Sequence, residues 1–92
     1  MSTTRAVSEF ATAALRAQHV ARGVAETHPF YVARAEGARV WDTEGREYLD
    51  FVGGIGVLNT GHRHPKVVEA AKRQLDAVMH TCYQVASYDV YT

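Results

Sequence analysis

Three kinds of side chain in this sequence could do chemistry: two lysines, one cysteine and a pair of closely spaced histidines. Lys66 and Lys72 are the only lysines. A lysine amine forms Schiff bases readily when burial or a cationic neighbour favours its neutral form. Both lysines here fall on the polar half of a helical pattern, where a solvated ammonium is the expectation. Cys82 has His80 two residues before it. Closeness in sequence does not make a nucleophile and base meet in space. His62-x-His64 could share a metal only from a strand-like backbone, and a structural site needs four N/S ligands. Pro65 starts a helix directly afterwards, and His80 and Cys82 lie a helix away. His64 is therefore read as a polar group at the helix entrance, and His62 as packing beside Gly61.

The histidines sit at the end of a longer passage, Asp50 to Pro65. It is uncharged from Phe51 to His62 and carries four of the seven glycines. Glycine-rich passages between a strand and a helix invite a phosphate-binding reading. A dinucleotide fingerprint needs G-x-G-x-x-G. Gly54-Ile55-Gly56 begins one, but Asn59 stands at the third glycine position. A P-loop needs G-x-x-x-x-G-K-[ST]. Gly56 and Gly61 have that spacing, but His62-Arg63 follows in place of the lysine and hydroxyl. Both phosphate readings fail on these residues. The glycines are left with another use: unusual backbone angles and close approach to a small ligand or another strand.

The elements around this passage are legible. Residues 1–7 are small and polar, and disorder is expected there. Ser8 can cap a helix running to about Arg22, with Gly23 as its stop. Phe10, Ala14, Leu15, Gln18 and Ala21 share one face of it. A mitochondrial presequence is the rival for this region, given Arg5, Arg16 and Arg22; Glu9 argues against it. His28-Pro29 breaks the helix. Three strands are predicted over Phe30–Ala35, Ala38–Asp42 and Arg46–Phe51, joined by Glu36-Gly37 and Thr43-Glu44-Gly45 as an antiparallel meander. Asp42, Glu44, Arg46 and Glu47 are read as a solvated turn. Pro65 opens an amphipathic helix. Its stripe of Val67, Val68, Ala71, Leu75, Val78 and Met79 is read as core. Glu69 and Arg73 form a favourable i,i+4 pair. His80–Gln84 is a polar loop. Ser87 is a plausible cap for a helix that has hardly begun at Thr92. Residues 1–92 thus read as the front end of a longer protein.

Composition excludes several classes. Ten basic and ten acidic residues cancel, with no single-sign block. Nucleic acid and anionic membrane are therefore poor partners. The uncharged run falls far short of the roughly 20 apolar residues of a membrane span. A single cysteine allows no internal disulfide, which suits a reducing compartment such as the cytoplasm.

A set of short motifs then carries a resemblance. These are Arg22-Gly-Val24, His28-Pro29, Arg34-Ala-Glu-Gly37, Val40-Trp-Asp42, Glu44-Gly45, Tyr48-Leu-Asp-Phe51, Gly53-Gly-Ile55, Val57-Leu-Asn-Thr-Gly-His62, His64-Pro65 and His80-Thr-Cys82 with Gln84. From Arg22 to Tyr91 the chain closely resembles the start of 4-aminobutyrate aminotransferases. These are class III, pyridoxal-phosphate-dependent ω-aminotransferases. The pattern V-W-D-x-x-G-x-x-Y-L-D-F followed by G-H-x-H-P is shared with acetylornithine and ornithine aminotransferases. V-L-N-T-G-H and H-T-C-x-Q point to the 4-aminobutyrate branch. Residues 1–21 carry no such signal.

The resemblance implies an α+β segment of a fold-type-I, pyridoxal-phosphate-dependent transferase that is α/β overall. Residues 1–21 would form an N-terminal arm and helix. Residues 22–92 would form the first part of the small domain with its active-site loop, leading into a large domain. Ile55 matches a position bordering the substrate, Gln84 a polar position near the substrate end of the pocket, and Gly53 and Gly54 let the loop pass close. The resemblance implies no catalytic, cofactor-binding or metal-ligating residue in this chain; those that hold pyridoxal phosphate lie downstream. It implies amine and 2-oxo acid substrates, with 4-aminobutyrate and 2-oxoglutarate giving succinate semialdehyde and glutamate. It also implies a homodimer or larger homo-oligomer. The chain alone is expected to be inactive. Two alternatives stand beside this: a relative acting on ornithine, acetylornithine, lysine or a diamine, and a non-catalytic module binding a partner through the Val67–Met79 stripe.

Overall fold

The computed structural model describes residues 8–92; the expectation for residues 1–7 lies outside them. The chain divides into two compact units, one ending at His62 and the other running Arg63–Thr92.

In the first unit, α1 spans Glu9–His19. Ser8 caps it, its side chain accepting the Ala11 N–H at 3.1 Å, which satisfies one of the free amides of the first turn. The helix ends three residues before the expected Arg22, and Gly23 is not its stop. Val20 is already extended, with φ −92° and ψ 132°. The Arg16 side chain turns away to the Val24 carbonyl at 2.6 Å and to Glu26 at 3.2 Å, so the chain folds back just after the helix.

The meander forms as expected, but with shorter strands. β1 spans Val32–Glu36, β2 Arg39–Asp42 and β3 Glu47–Leu49. They pair antiparallel in the order β1-β2-β3. A register shift falls inside β1, between Val32 and Arg34. Phe30 instead stacks on Tyr48, with ring centroids 4.6 Å apart. β3 stops at Leu49 because the Asp50 carboxylate takes the N–H groups of Val52 and Gly53 into a turn. Val40, at 8% exposed, is the one buried apolar side chain among the described residues.

In the second unit, α2 spans Pro65–Ala77. Proline opens it, as its fixed φ allows. The His64 side chain accepts the Lys66 N–H at 3.2 Å, which bears out the reading of His64. Glu69 and Arg73 pair at 3.5 Å. Much of the stripe expected to be core lies open among the described residues: Val67 is 57% exposed, Leu75 59% and Met79 78%, while Val68 and Val78 are half-buried. Past Val78 the chain is irregular until a 3₁₀ turn, Asp89–Tyr91. Tyr88, not Ser87, precedes that turn, and its side chain makes no capping bond. Tyr83 packs against Tyr88 and Tyr91 at 5.6 and 4.5 Å.

Candidate functional site

The passage after β3 folds into one tight left-handed turn, Gly53–Gly56. Gly53, Gly54, Ile55 and Gly56 have φ of 57°, 65°, 62° and 76° in succession. Three glycines make this accessible, since they lack the Cβ that clashes in left-handed backbone. Ile55 has no such freedom. A β-branched residue at φ 62° and ψ 50° is a steric outlier costing roughly 1–2 kcal/mol. The turn closes through the Gly56 N–H on the Val52 carbonyl at 3.0 Å and the Val57 N–H on the Gly53 carbonyl at 2.9 Å. The Ile55 side chain is left 90% exposed. The glycines thus serve the backbone angles expected of them, and Gly54 and Ile55 stand at the tip.

The base of this loop is tied to the β1–β2 hairpin. The Gly37 N–H donates to the His62 carbonyl at 2.9 Å, and the His62 N–H to the Gly37 carbonyl at 2.8 Å. Gly61 sits so close that an added Cβ would lie 3.0 Å from the Gly37 oxygen. His62 does more than pack beside Gly61: its Nε2 meets Asp50 Oδ2 at 2.5 Å. The other carboxylate oxygen of Asp50 accepts the N–H groups of Val52 and Gly53 at 3.0 and 2.9 Å. The Gly53 N–H chiefly, then the His62 ring, hold the Asp50 carboxyl below its usual range against the opposing effect of burial. The sequence reading passed over Asp50. Its signal was an aspartate two and three residues before small, uncharged positions, the pattern of a side chain that bonds its own turn.

A second carboxylate organises the other end of the sheet. Asp42, read as part of a solvated turn, is 3% exposed. It accepts from the Arg46 guanidinium at 2.6 Å, the Tyr48 hydroxyl at 2.9 Å, and the N–H groups of Glu44 and Arg46 at 2.9 Å each. Burial pushes its pKa up, but the bonds from Arg46, Tyr48 and Glu44 together outweigh that and bring it from 3.8 to about 2. Arg46 and Tyr48 are both held above their ordinary values by the same carboxylate. Arg46 reaches Glu9 at 2.9 Å, and Glu44 accepts the Glu9 N–H at 2.6 Å. The hairpin tip therefore anchors the start of α1. Every polar atom of Asp42 is engaged in this framework, so its role is structural.

The remaining candidates belong to the second unit. Lys66 and Lys72 are exposed. Cys82 is exposed, and the His80 ring pairs with the Tyr88 hydroxyl at 3.4 Å. Gln84 is exposed in the loop after α2. No group of three or more metal-ligating side chains occurs among the described residues, and no helix of these is long and apolar enough to cross a membrane.

The model of the class III aminotransferase family matches residues 19–92. The chain belongs to the class III aminotransferases. The 4-aminobutyrate aminotransferase of Escherichia coli is 60% identical over 76 residues, which cover 83% of this chain and 18% of that protein. The 5-aminovalerate aminotransferase of Pseudomonas aeruginosa is 58% identical over 72 residues, 78% of this chain and 17% of that one. Among solved structures, the ornithine aminotransferase of Toxoplasma gondii superposes with a TM-score of 0.74 at 38% identity, over 80% of this chain and 17% of its own. The helix-and-meander architecture is thus a segment of the aminotransferase fold, as the motifs implied. This chain spans under a fifth of the length of these relatives.

That T. gondii structure has pyridoxal phosphate at partial occupancy in its active site. The class III segment described here offers a loop and its anchors.

Proposed function

We propose that this chain is the N-terminal part of a pyridoxal-phosphate-dependent transaminase. It would transfer the amino group of a short ω-amino acid, 4-aminobutyrate first among them, to 2-oxoglutarate. Succinate semialdehyde and glutamate would be the products. The identity of this segment to aminotransferases of 4-aminobutyrate and 5-aminovalerate supports an ω-amino acid as donor. Pyridoxal phosphate, when bound, acts as the electron sink for amino-group transfer. Its binding residues belong to downstream parts of the protein. The protein works as a homodimer or larger homo-oligomer in the cytoplasm, and the exposed apolar side chains Phe10, Leu15 and Leu75 support burial against further protein surface.

The observation that carries the role of this segment is Ile55. A strained backbone holds a large apolar side chain outward at the tip of an anchored loop. Strain of this kind persists where the surroundings over-determine it and gathers at ligand clamps. Ile55 therefore offers an apolar wall to the methylene chain of the donor, with Gly54 allowing close approach and Gln84 supplying a polar contact. None of the three moves a proton. In the full-length enzyme, Ile55→Ala should change the rate ratio between 4-aminobutyrate and longer amines by about tenfold, the effect of a lost apolar contact of one or two methylenes. Cofactor absorbance should be unchanged. Loss of bound cofactor in the variant would refute the wall role. A preference for ornithine, acetylornithine, lysine or a diamine would refute the substrate.

A further inference from the structure

We propose that Asp50 and His62 act as a positioning clamp that sets the amine selectivity of the loop between them, an inference that rests on the transaminase reading above. Asp50 stands just after β3, and His62 closes the loop twelve residues later. One carboxylate holds both ends. Oδ1 accepts the Val52 and Gly53 N–H groups at the entry to the left-handed turn, and Oδ2 meets the ring of His62 at the end of the loop. The pair is largely shielded, with side chains 15% and 21% exposed, where a hydrogen bond involving a charged group is stronger and more directional than on the open surface.

The turn needs such a device. Its own closing bonds run from Val52 and Gly53 to Gly56, Val57 and Leu58. They fix its shape but not its attitude to the sheet. Ile55 cannot supply that attitude, because its side chain touches little and its backbone is strained. Asp50 is the group that joins the first amides of the turn to the sheet end of the loop. The Gly37–His62 bridge is made by main-chain atoms and does not involve the imidazole. Removing the ring therefore leaves the loop closed and the fold intact, while the turn is free to tilt. Asp50 and His62 are positioning residues: they act through Ile55 and need no contact with substrate.

The test compares His62→Ala with His62→Gln in the full-length holoenzyme; the glutamine Nε2 can donate to Asp50 roughly where the ring nitrogen lies. Steady-state kinetics with 4-aminobutyrate and 5-aminovalerate, cofactor absorbance, and hydrogen exchange of peptides covering residues 51–61 are the readouts. For His62→Ala, KM for 4-aminobutyrate should rise about tenfold, the scale of one charge-assisted hydrogen bond. Its kcat should stay within about threefold, as expected when binding rather than the transition state is affected. The KM ratio of the two amines should shift, exchange over 51–61 should quicken, and absorbance should be unchanged. His62→Gln should recover most of each change. An unaltered amine ratio, unaltered exchange, or a glutamine variant as impaired as the alanine one would overturn the clamp while the transaminase reading stands. Equal loss of kcat on both amines together with loss of cofactor would mean a merely structural role and would also overturn it. A wild-type protein that turns over no ω-amino acid would overturn both.

Discussion

At the scale of single residues, two aspartates do most of the organising. Each collects backbone amides and one cationic or ring partner. The Asp42 carboxylate accepts four hydrogen bonds, one from Glu44, two from Arg46 and one from Tyr48, and is nearly inaccessible to solvent. Its pKa, brought from 3.8 to about 2, makes a stability prediction with a definite sign. The folded state binds the proton more weakly than the unfolded chain, so the contribution is fully present above about pH 4 and is lost as pH falls toward 2. Asp50, also held below its usual range, acts in the same direction. Acid unfolding followed by circular dichroism should therefore show a steep loss between pH 4 and 2. Asp42→Asn should be less stable at neutral pH, because Arg46 loses the nearer and more buried of its two carboxylate partners, Asp42, and keeps only Glu9. It should also have a shallower acid limb. An acid limb identical to the wild type would show that the bonds seen here do not favour the ionised form in the folded state.

At the scale of elements, the critical junction is where the loop end meets the β1–β2 turn. Gly61 has φ 80°, and a Cβ there would meet the carbonyl oxygen, carbon and Cα of Gly37 at 3.0–3.2 Å. Backbone on both sides leaves nothing flexible to yield. Gly61→Ala should cost about 2 kcal/mol or more, combining left-handed backbone with a forced separation. By contrast, Gly37→Ala meets no atom within 4 Å, and its cost should be confined to the left-handed backbone, about 1–2 kcal/mol. Chemical denaturation of the two variants in the full-length protein checks the order. This junction also shows what sequence could tell. The meander, the Ser8 cap, the Pro65 start and the histidine at the helix entrance were legible because each depends on local chemistry: a side chain bonding a nearby amide, or a fixed φ. The strand ends and the end of α1 were not, because they depend on side-chain partners found only in the folded chain: the Asp50 carboxylate after β3, and Val24 and Glu26 for Arg16 after α1. Asp42 looked like turn solvation for the same reason. Only folding brings Tyr48 and Arg46 over its carboxylate. Ile55 and Gly54 were singled out through a resemblance, and nothing in their types announced four left-handed residues in a row. Gln84 lies in a loop, as the polar run His80–Gln84 implies.

At the scale of the whole molecule, the main fact is how little this chain covers. Among the described residues one apolar side chain is buried, while Phe10, Phe51, Leu75 and Met79 are 85%, 92%, 59% and 78% exposed. A sheet with one helix beside it has faces that must be covered by further layers. The relatives supply a reason: this segment makes up 17–18% of their length. The α2 stripe, expected as core and found open, is consistent with core completed by the rest of a class III aminotransferase. This predicts opposite outcomes for one substitution in two contexts. In the isolated 92-residue chain, Leu75→Ala should change stability by less than about 0.5 kcal/mol, as for an exposed side chain, and should lower binding of an apolar dye by shrinking the open patch. In the full-length protein, the same change should cost about 2–5 kcal/mol, the range for a leucine truncated inside a packed interior. Thermal and denaturant unfolding of both forms measures the two values. A cost below about 0.5 kcal/mol in both contexts would mean that no other part of the protein covers the stripe, and it would return the Val67–Met79 face to the status of a free surface.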